Sequence, residues 1–202
     1  MEILNAIILG IVQGLTEFLP ISSSGHLEIA KSLLNEESIG KESMLMTITL
    51  HLATAFSTLY IFKNDVVKIT KGLFAFRKNE EAIYSIKILL SMIPAALVGF
   101  FLKNDVEKLF VTDLFLVGIM LLITSILLFL ADKAKVTLQK IRYTDSIIIG
   151  IAQAIAIIPG ISRSGATIAV ASILGVDKEE AAKFSFLMVV PLIFGAMIND
   201  LI

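Results

Sequence analysis

The stretch Gln13 to His26, QGLTEFLPISSSGH, places a carboxylate, three consecutive serines, a glycine and a histidine inside an otherwise oily run. A second stretch, Pro159 to Thr167, PGISRSGAT, repeats the proline, the paired serines and the glycine, with Arg163 where the first has Ser23. Hydroxyls before a glycine at a helix start present several N–H and O–H donors at one point, backed by the positive end of the helix dipole, and that combination binds anions. The guanidinium of Arg163, between Ser162 and Ser164, adds a planar fork that matches two phosphate oxygens. Glu17 and His26 supply a carboxylate and a group titrating near neutrality. They can activate Ser23 or a water, protonate a leaving group, or bind a divalent metal that offsets phosphate charge. The two stretches are read as halves of one phosphate site, with Gln13, Ser22, Ser24, Gly25, Ser162, Ser164, Gly165 and Thr167 around the anion. Each serine alone reads more readily as an ordinary N-cap, and Glu17 with Arg163 reads equally as a buried ion pair locking the hairpins together. His51, in mid-span, is read as a hydrogen-bonded core residue.

These groups need a scaffold, and composition says which kind. With 56% hydrophobic residues, 17% charged and a mean hydropathy of +0.89, the 202 residues carry more apolar surface than a soluble domain of this size can bury. The chain is read as one polytopic all-α membrane domain over residues 1–202. Four stretches are expected to span as helices: 44 to 62, 83 to 102, 114 to 131 and 184 to 199. A charged side chain at mid-membrane costs at least about 2.5 kcal/mol, so Glu17 and Arg163 are expected to face each other, water or a ligand. The net charge of −1 offers no basic surplus for nucleic acid, and the absence of cysteine excludes disulfides, thiolate catalysis and zinc-thiolate sites. The opening MEILNAIILG has neither a basic n-region nor a small-residue cleavage site, so it is expected to belong to the fold.

Sliding the sequence by 140 residues aligns Gly10, Ile11 and Gln13 with Gly150, Ile151 and Gln153, and Ile21, Ser22, Ser24 and Gly25 with Ile161, Ser162, Ser164 and Gly165. Two such matches at one offset point to an internal duplication. In each copy an apolar stretch too short to span breaks at a proline and restarts from a serine cap, which predicts re-entrant helical hairpins over 3–34 and 146–175. One long kinked span from Ile3 to about Ala30 is the alternative for the first. The repeats would run from about 3 to 102 and from about 114 to 202. Three spans separate the copies, so they would be inverted, with tips meeting near the bilayer midplane. Basic residues concentrate in loops 63–81 and 132–145 and not in 35–43 or 103–113, which puts the first pair in the cytoplasm.

The two signature stretches resemble those of the undecaprenyl-diphosphatase family of membrane proteins, associated with bacitracin resistance, and the likeness runs on through EEAAKFSFLMVVPLIFGA. The resemblance implies removal of the terminal phosphate from a polyprenyl diphosphate, which recycles the lipid carrier for cell-envelope polymers. It places Glu17, Ser23, His26 and Arg163 as catalytic residues, implies stimulation by Mg or Ca with Glu17 as a metal ligand, and favours a site opening to the outer side. The family's pattern of two acidic or amide residues is met by Gln13 and Glu17. Family members continue through further C-terminal spans that this sequence does not include. A different class, a transporter or flippase of a lipid phosphate or small anion, uses the same architecture of broken helices and inverted repeats.

Overall fold

The computed structural model describes residues 3–36, 41–75, 79–101, 114–135 and 137–201, with side chains at all of these except 41–48 and 196–201. Among the described residues the chain is helical: α1 Ile3–Thr16, α2 Ser23–Leu33, α3 Lys41–Ile61, α4 Lys63–Phe74, α5 Glu80–Phe101, α6 Leu114–Lys133, α7 Tyr143–Ile155, α8 Arg163–Ile173 and α9 Lys178–Leu201. Among the described residues two helices, α5 and α6, are both long and apolar enough to cross a membrane. The expected span 184 to 199 falls within α9, and 44 to 62 coincides with α3 except for Phe62, just past its end; these helices have membrane-crossing length at 24 and 21 residues. Their apolarity is lower because α3 carries His51 and several hydroxyls, and α9 begins with Lys178, Glu179, Glu180 and Lys183. The expected loop 103–113 lies outside the described residues, as do 37–40 of the expected loop 35–43, whose residues 41–43 belong to α3.

The basic segment expected as a loop over 63–81 differs most. Residues 63 to 74 form α4, because Val66 and Ile69 recur at helical spacing and pack on the main core while Lys68 stays at the surface beside Glu81. Asp65 forms an ion pair with Lys183 of α9, which ties α4 to that helix.

Both short helix pairs double back on themselves. Asn5, near the start of α1, donates a 2.6 Å hydrogen bond to Glu36, just beyond α2. A single kinked span cannot bring these residues together, so the first pair is a helical hairpin. In the second pair, Gln139 before α7 meets Val176 after α8 in an isolated parallel bridge, and the Asp177 N–H donates to the Gln139 carbonyl at 3.0 Å. Asp145 caps α7 by accepting the Arg142 backbone N–H at 2.8 Å, while the Arg142 guanidinium grips the same carboxylate.

The main core joins α5, α7 and α9 around Ile88, Ile149, Phe184 and Met188. It closes tightly because Gly150 has no side chain: a Cβ there would lie 2.4 Å from the Ser91 carbonyl oxygen. Gly150→Ala is therefore expected to force α5 and α7 apart at a cost of about 1–3 kcal/mol. A lower thermal unfolding temperature in detergent checks this. Gly99→Ala, which meets nothing within 4 Å, should leave that temperature unchanged. At the other side, the ring of Phe186 (α9) lies 5.9 Å from Phe18 and stacks at 6.2 Å on Phe62, linking the first hairpin's turn to the end of α3.

Candidate functional site

The tips of the two hairpins meet. Each restarts its helix with the same device: Ser22 Oγ accepts the Gly25 N–H at 3.2 Å, and Ser162 Oγ accepts the Gly165 N–H at 2.9 Å. Ser24 and Ser164 extend these caps at 3.3 and 3.4 Å. The contacts across the tips are reciprocal. A Cβ on Gly25 would lie 3.4 Å from the Gly160 Cα, and one on Gly165 would lie 2.6 Å from the Pro20 carbonyl oxygen. Residues 20 and 160, like 25 and 165, are equivalent at the offset of 140. The second tip is further anchored by Thr124 of α6, whose hydroxyl accepts the Ser162 N–H at 3.0 Å and donates to the Gly160 carbonyl at 3.3 Å.

Glu17 sits where the tips face each other and its side chain is mostly buried. One oxygen, Oε2, accepts a hydrogen bond from Gln13 Nε2 at 2.8 Å and another from the Ser23 hydroxyl. The other, Oε1, stands 3.6 Å from the Arg163 guanidinium. The structure thus brings Gln13, Ser23 and Arg163 each into contact with the Glu17 carboxylate. It is an arrangement with a hydroxyl already hydrogen-bonded to a base and a guanidinium beside it.

His26 is held one step away. Its Nδ1 lies 2.7 Å from the Ser22 carbonyl oxygen. A carbonyl only accepts, so Nδ1 carries the hydrogen and Nε2 is left free to exchange a proton. Ser22 achieves this by adopting φ 70°, a left-handed conformation costing roughly 1–2 kcal/mol in a residue with a Cβ. Ser162, its counterpart, remains extended at φ −69°. The strain occurs only in the copy that has a histidine to aim.

Thr167 is placed differently from expectation. It is fully buried, and its hydroxyl is engaged by the Arg163 carbonyl at 2.8 Å and by Ser185 Oγ at 2.6 Å. It braces the turn behind Arg163 and is not available to an anion, because a β-branched hydroxyl one turn into a helix readily bonds back to the preceding carbonyl. Sequence reasoning passed over Ser185 and Thr124; the only signal for Thr124 is a hydroxyl in the middle of an uncharged span. His51 also departs from expectation: it has no hydrogen bond among the described residues, and it is half-buried.

Among the described residues no group of three or more acidic or histidine side chains converges as a metal site. The donors that fit a divalent cation are Glu17 and Gln13 Oε1, a buried oxygen with no hydrogen-bond partner. Alone they are too few for a dedicated cage, but they suit a cation that arrives on phosphate oxygens.

Among the described residues, two apolar helices of membrane-crossing length together with a shared carboxylate, a guanidinium and a pair of serine-capped turns define an all-helical protein with membrane-capable helices and a polar centre where its hairpin tips meet. More particularly, the chain belongs to the family described as bacitracin resistance protein BacA, which matches residues 6–202. It is 57% identical over 201 residues to an undecaprenyl-diphosphatase of Christiangramia forsetii, covering 100% of this chain and 76% of that protein. Undecaprenyl-diphosphatases of Bacteroides fragilis and Parabacteroides distasonis are 49% and 50% identical, covering 99% and 97% of this chain and 75% and 73% of theirs. The chain thus spans about three quarters of the length of these relatives.

Proposed function

We propose that this protein hydrolyses undecaprenyl diphosphate, or a polyprenyl diphosphate like it, to the monophosphate and free phosphate, so returning the lipid carrier to cell-envelope synthesis. The observation that carries the reading is Glu17, shared between the Ser23 hydroxyl and Arg163. Arg163 and the capped turns hold the diphosphate. Ser23 Oγ, or a water in its place, attacks the terminal phosphorus and gives its proton to Glu17. The bond from that phosphorus to the bridging oxygen breaks, and the electron pair stays on the oxygen, which departs with the lipid phosphate. His26 Nε2 moves the remaining proton. If Ser23 is the attacking group, water then releases phosphate from the serine. A divalent cation, Mg or Ca, carried by the diphosphate and touched by Glu17 and Gln13 Oε1, would offset phosphate charge.

The architecture that fits this chemistry is a pair of inverted repeats over 3–102 and 114–202 within one domain. Their re-entrant hairpins enter from opposite sides and meet near the midplane, with the basic segments 63–81 and 132–145 cytoplasmic and the site open to the outer side. The swapped contacts, Gly25 with residue 160 and Gly165 with residue 20, support a two-fold relation between the copies.

Purified protein in detergent is expected to release phosphate from undecaprenyl diphosphate. Glu17→Gln should lower turnover by at least about a hundredfold, the scale of losing a catalytic acid or base, and chelation by EDTA should lower the turnover of the wild type. Wild-type turnover in Glu17→Gln would sink the assignment. A carrier needs the arginine and serines but no hydroxyl paired with a base, so lipid translocation in proteoliposomes without phosphate release would favour the transporter class instead.

A further inference from the structure

Helix α4 occupies a level that both of its neighbours fix. It starts directly after α3, and its C-terminal half lies against the first turn of α5: Gly72 packs on Glu81, the Gly72 carbonyl accepts a hydrogen bond from Asn79 Nδ2 at 3.0 Å, and Lys68 pairs with Glu81 at 3.5 Å. Because α5 is long and apolar enough to cross a membrane, its first turn, with Glu80 and Glu81, lies where hydrocarbon gives way to headgroups. Tyr60, 73% exposed at the end of α3, is a side chain of the kind that collects at that level. At 12 residues α4 is itself too short to cross.

The two sides of α4 differ in what they meet. Val66 and Ile69 pack inward on the main core. On the opposite side Lys63, Val67, Lys71 and Phe74 follow one another at helical spacing as a single exposed ridge. The nearby carboxylates are turned elsewhere, Asp65 to Lys183 and Glu81 to Lys68. Lys63 Nζ lies 5.0 Å from the centre of the Tyr60 ring. Water alone would leave a valine and a phenylalanine unsheltered, and hydrocarbon alone would strand two ammonium groups. An anionic headgroup layer accommodates both, with the apolar side chains among the upper acyl carbons and the lysines on phosphate oxygens. We infer that this ridge of α4 is a binding surface for anionic phospholipid of the bilayer that α5 and α6 cross. The inference rests on reading α5 and α6 as membrane spans and does not depend on the chemistry assigned to Glu17 and Ser23.

The chain contains no tryptophan, so a single one placed on the ridge reports on that ridge alone. The test reconstitutes the whole chain carrying Phe74→Trp in bilayers of phosphatidylglycerol and phosphatidylcholine in equal parts, with the acyl chains of one lipid or the other brominated at mid-chain. Fluorescence is expected to be quenched by both lipids, with a local preference for phosphatidylglycerol of roughly fivefold, the scale of one lysine at an anionic surface. Adding Lys63→Gln and Lys71→Gln should bring that preference close to parity while quenching persists. Equal quenching by the two lipids, or an unchanged preference in the lysine variants, overturns the headgroup role. No quenching by either lipid overturns the surface altogether, and blue-shifted emission in that case marks a second copy or another protein as its cover. Val67→Trp, on the same ridge, repeats the measurement if Phe74→Trp does not fold. Leu122→Trp, 65% exposed in the middle of α6, is the control and should be quenched without preference. If it is not quenched at all, the membrane reading of α6 falls and this surface with it.

Discussion

Arg163→Lys is expected to lower phosphate release by roughly a hundredfold or more, although the charge is conserved, because removing one preorganised donor from a developing oxyanion costs on that order. The reason lies in geometry. Arg163 begins α8 and reaches Glu17 at 3.6 Å while its planar fork remains partly accessible to a ligand. A lysine ammonium is a strongly hydrated point charge that satisfies either the carboxylate or a phosphate oxygen, but not a pair of oxygens in one plane. A steady-state assay on undecaprenyl diphosphate checks it, with Arg163→Ala as the lower bound. Wild-type rates in Arg163→Lys would show that the fork is not what holds the substrate.

Gly165→Ala should be nearly as damaging by a different route. The added Cβ would sit 2.6 Å from the Pro20 carbonyl oxygen and 2.8 Å from the Ser162 Cβ. Since Pro20 belongs to the turn between Glu17 and Ser23, the clash pushes the carboxylate away from Arg163. Overpacking of this kind costs about 1–3 kcal/mol, which a folded chain can survive. A displacement near 1 Å at a reacting centre can cost on the order of a hundredfold in rate. The expected result is a protein that purifies and unfolds cooperatively but turns over very slowly. Gly10→Ala, with nothing within 4 Å, should keep full activity.

Much of this was legible from residue types. The breaks after Thr16 and Ile155 follow from the serine caps and the prolines, and the hairpins α1–α2 and α7–α8 stand where those signals put them. Glu17 and Arg163 had to find partners because each is charged in an oily chain, and they found each other. What the sequence concealed depends on direction. Thr167 and Ser164 look alike as hydroxyls after an arginine, and only the fold shows that Thr167 turns back to Ser185. His51 sits in a run whose periodicity marks a face but not what lies opposite it. The segment 63 to 74 reads as a basic loop because its lysines are conspicuous, whereas Val66 and Ile69, which make it a helix, are not.

The hydrogen bonds around Glu17 also set an order of events during synthesis. Gln13 and Ser23 are its near neighbours in the chain and belong to the first hairpin, whereas Arg163 is made long afterwards. A carboxylate inserted early into the membrane would be stranded if its only partner were that arginine. Two local donors keep it solvated by its own segment in the meantime. The first hairpin thus brings its own two donors to the carboxylate, and Arg163 completes the cluster only when the second hairpin docks.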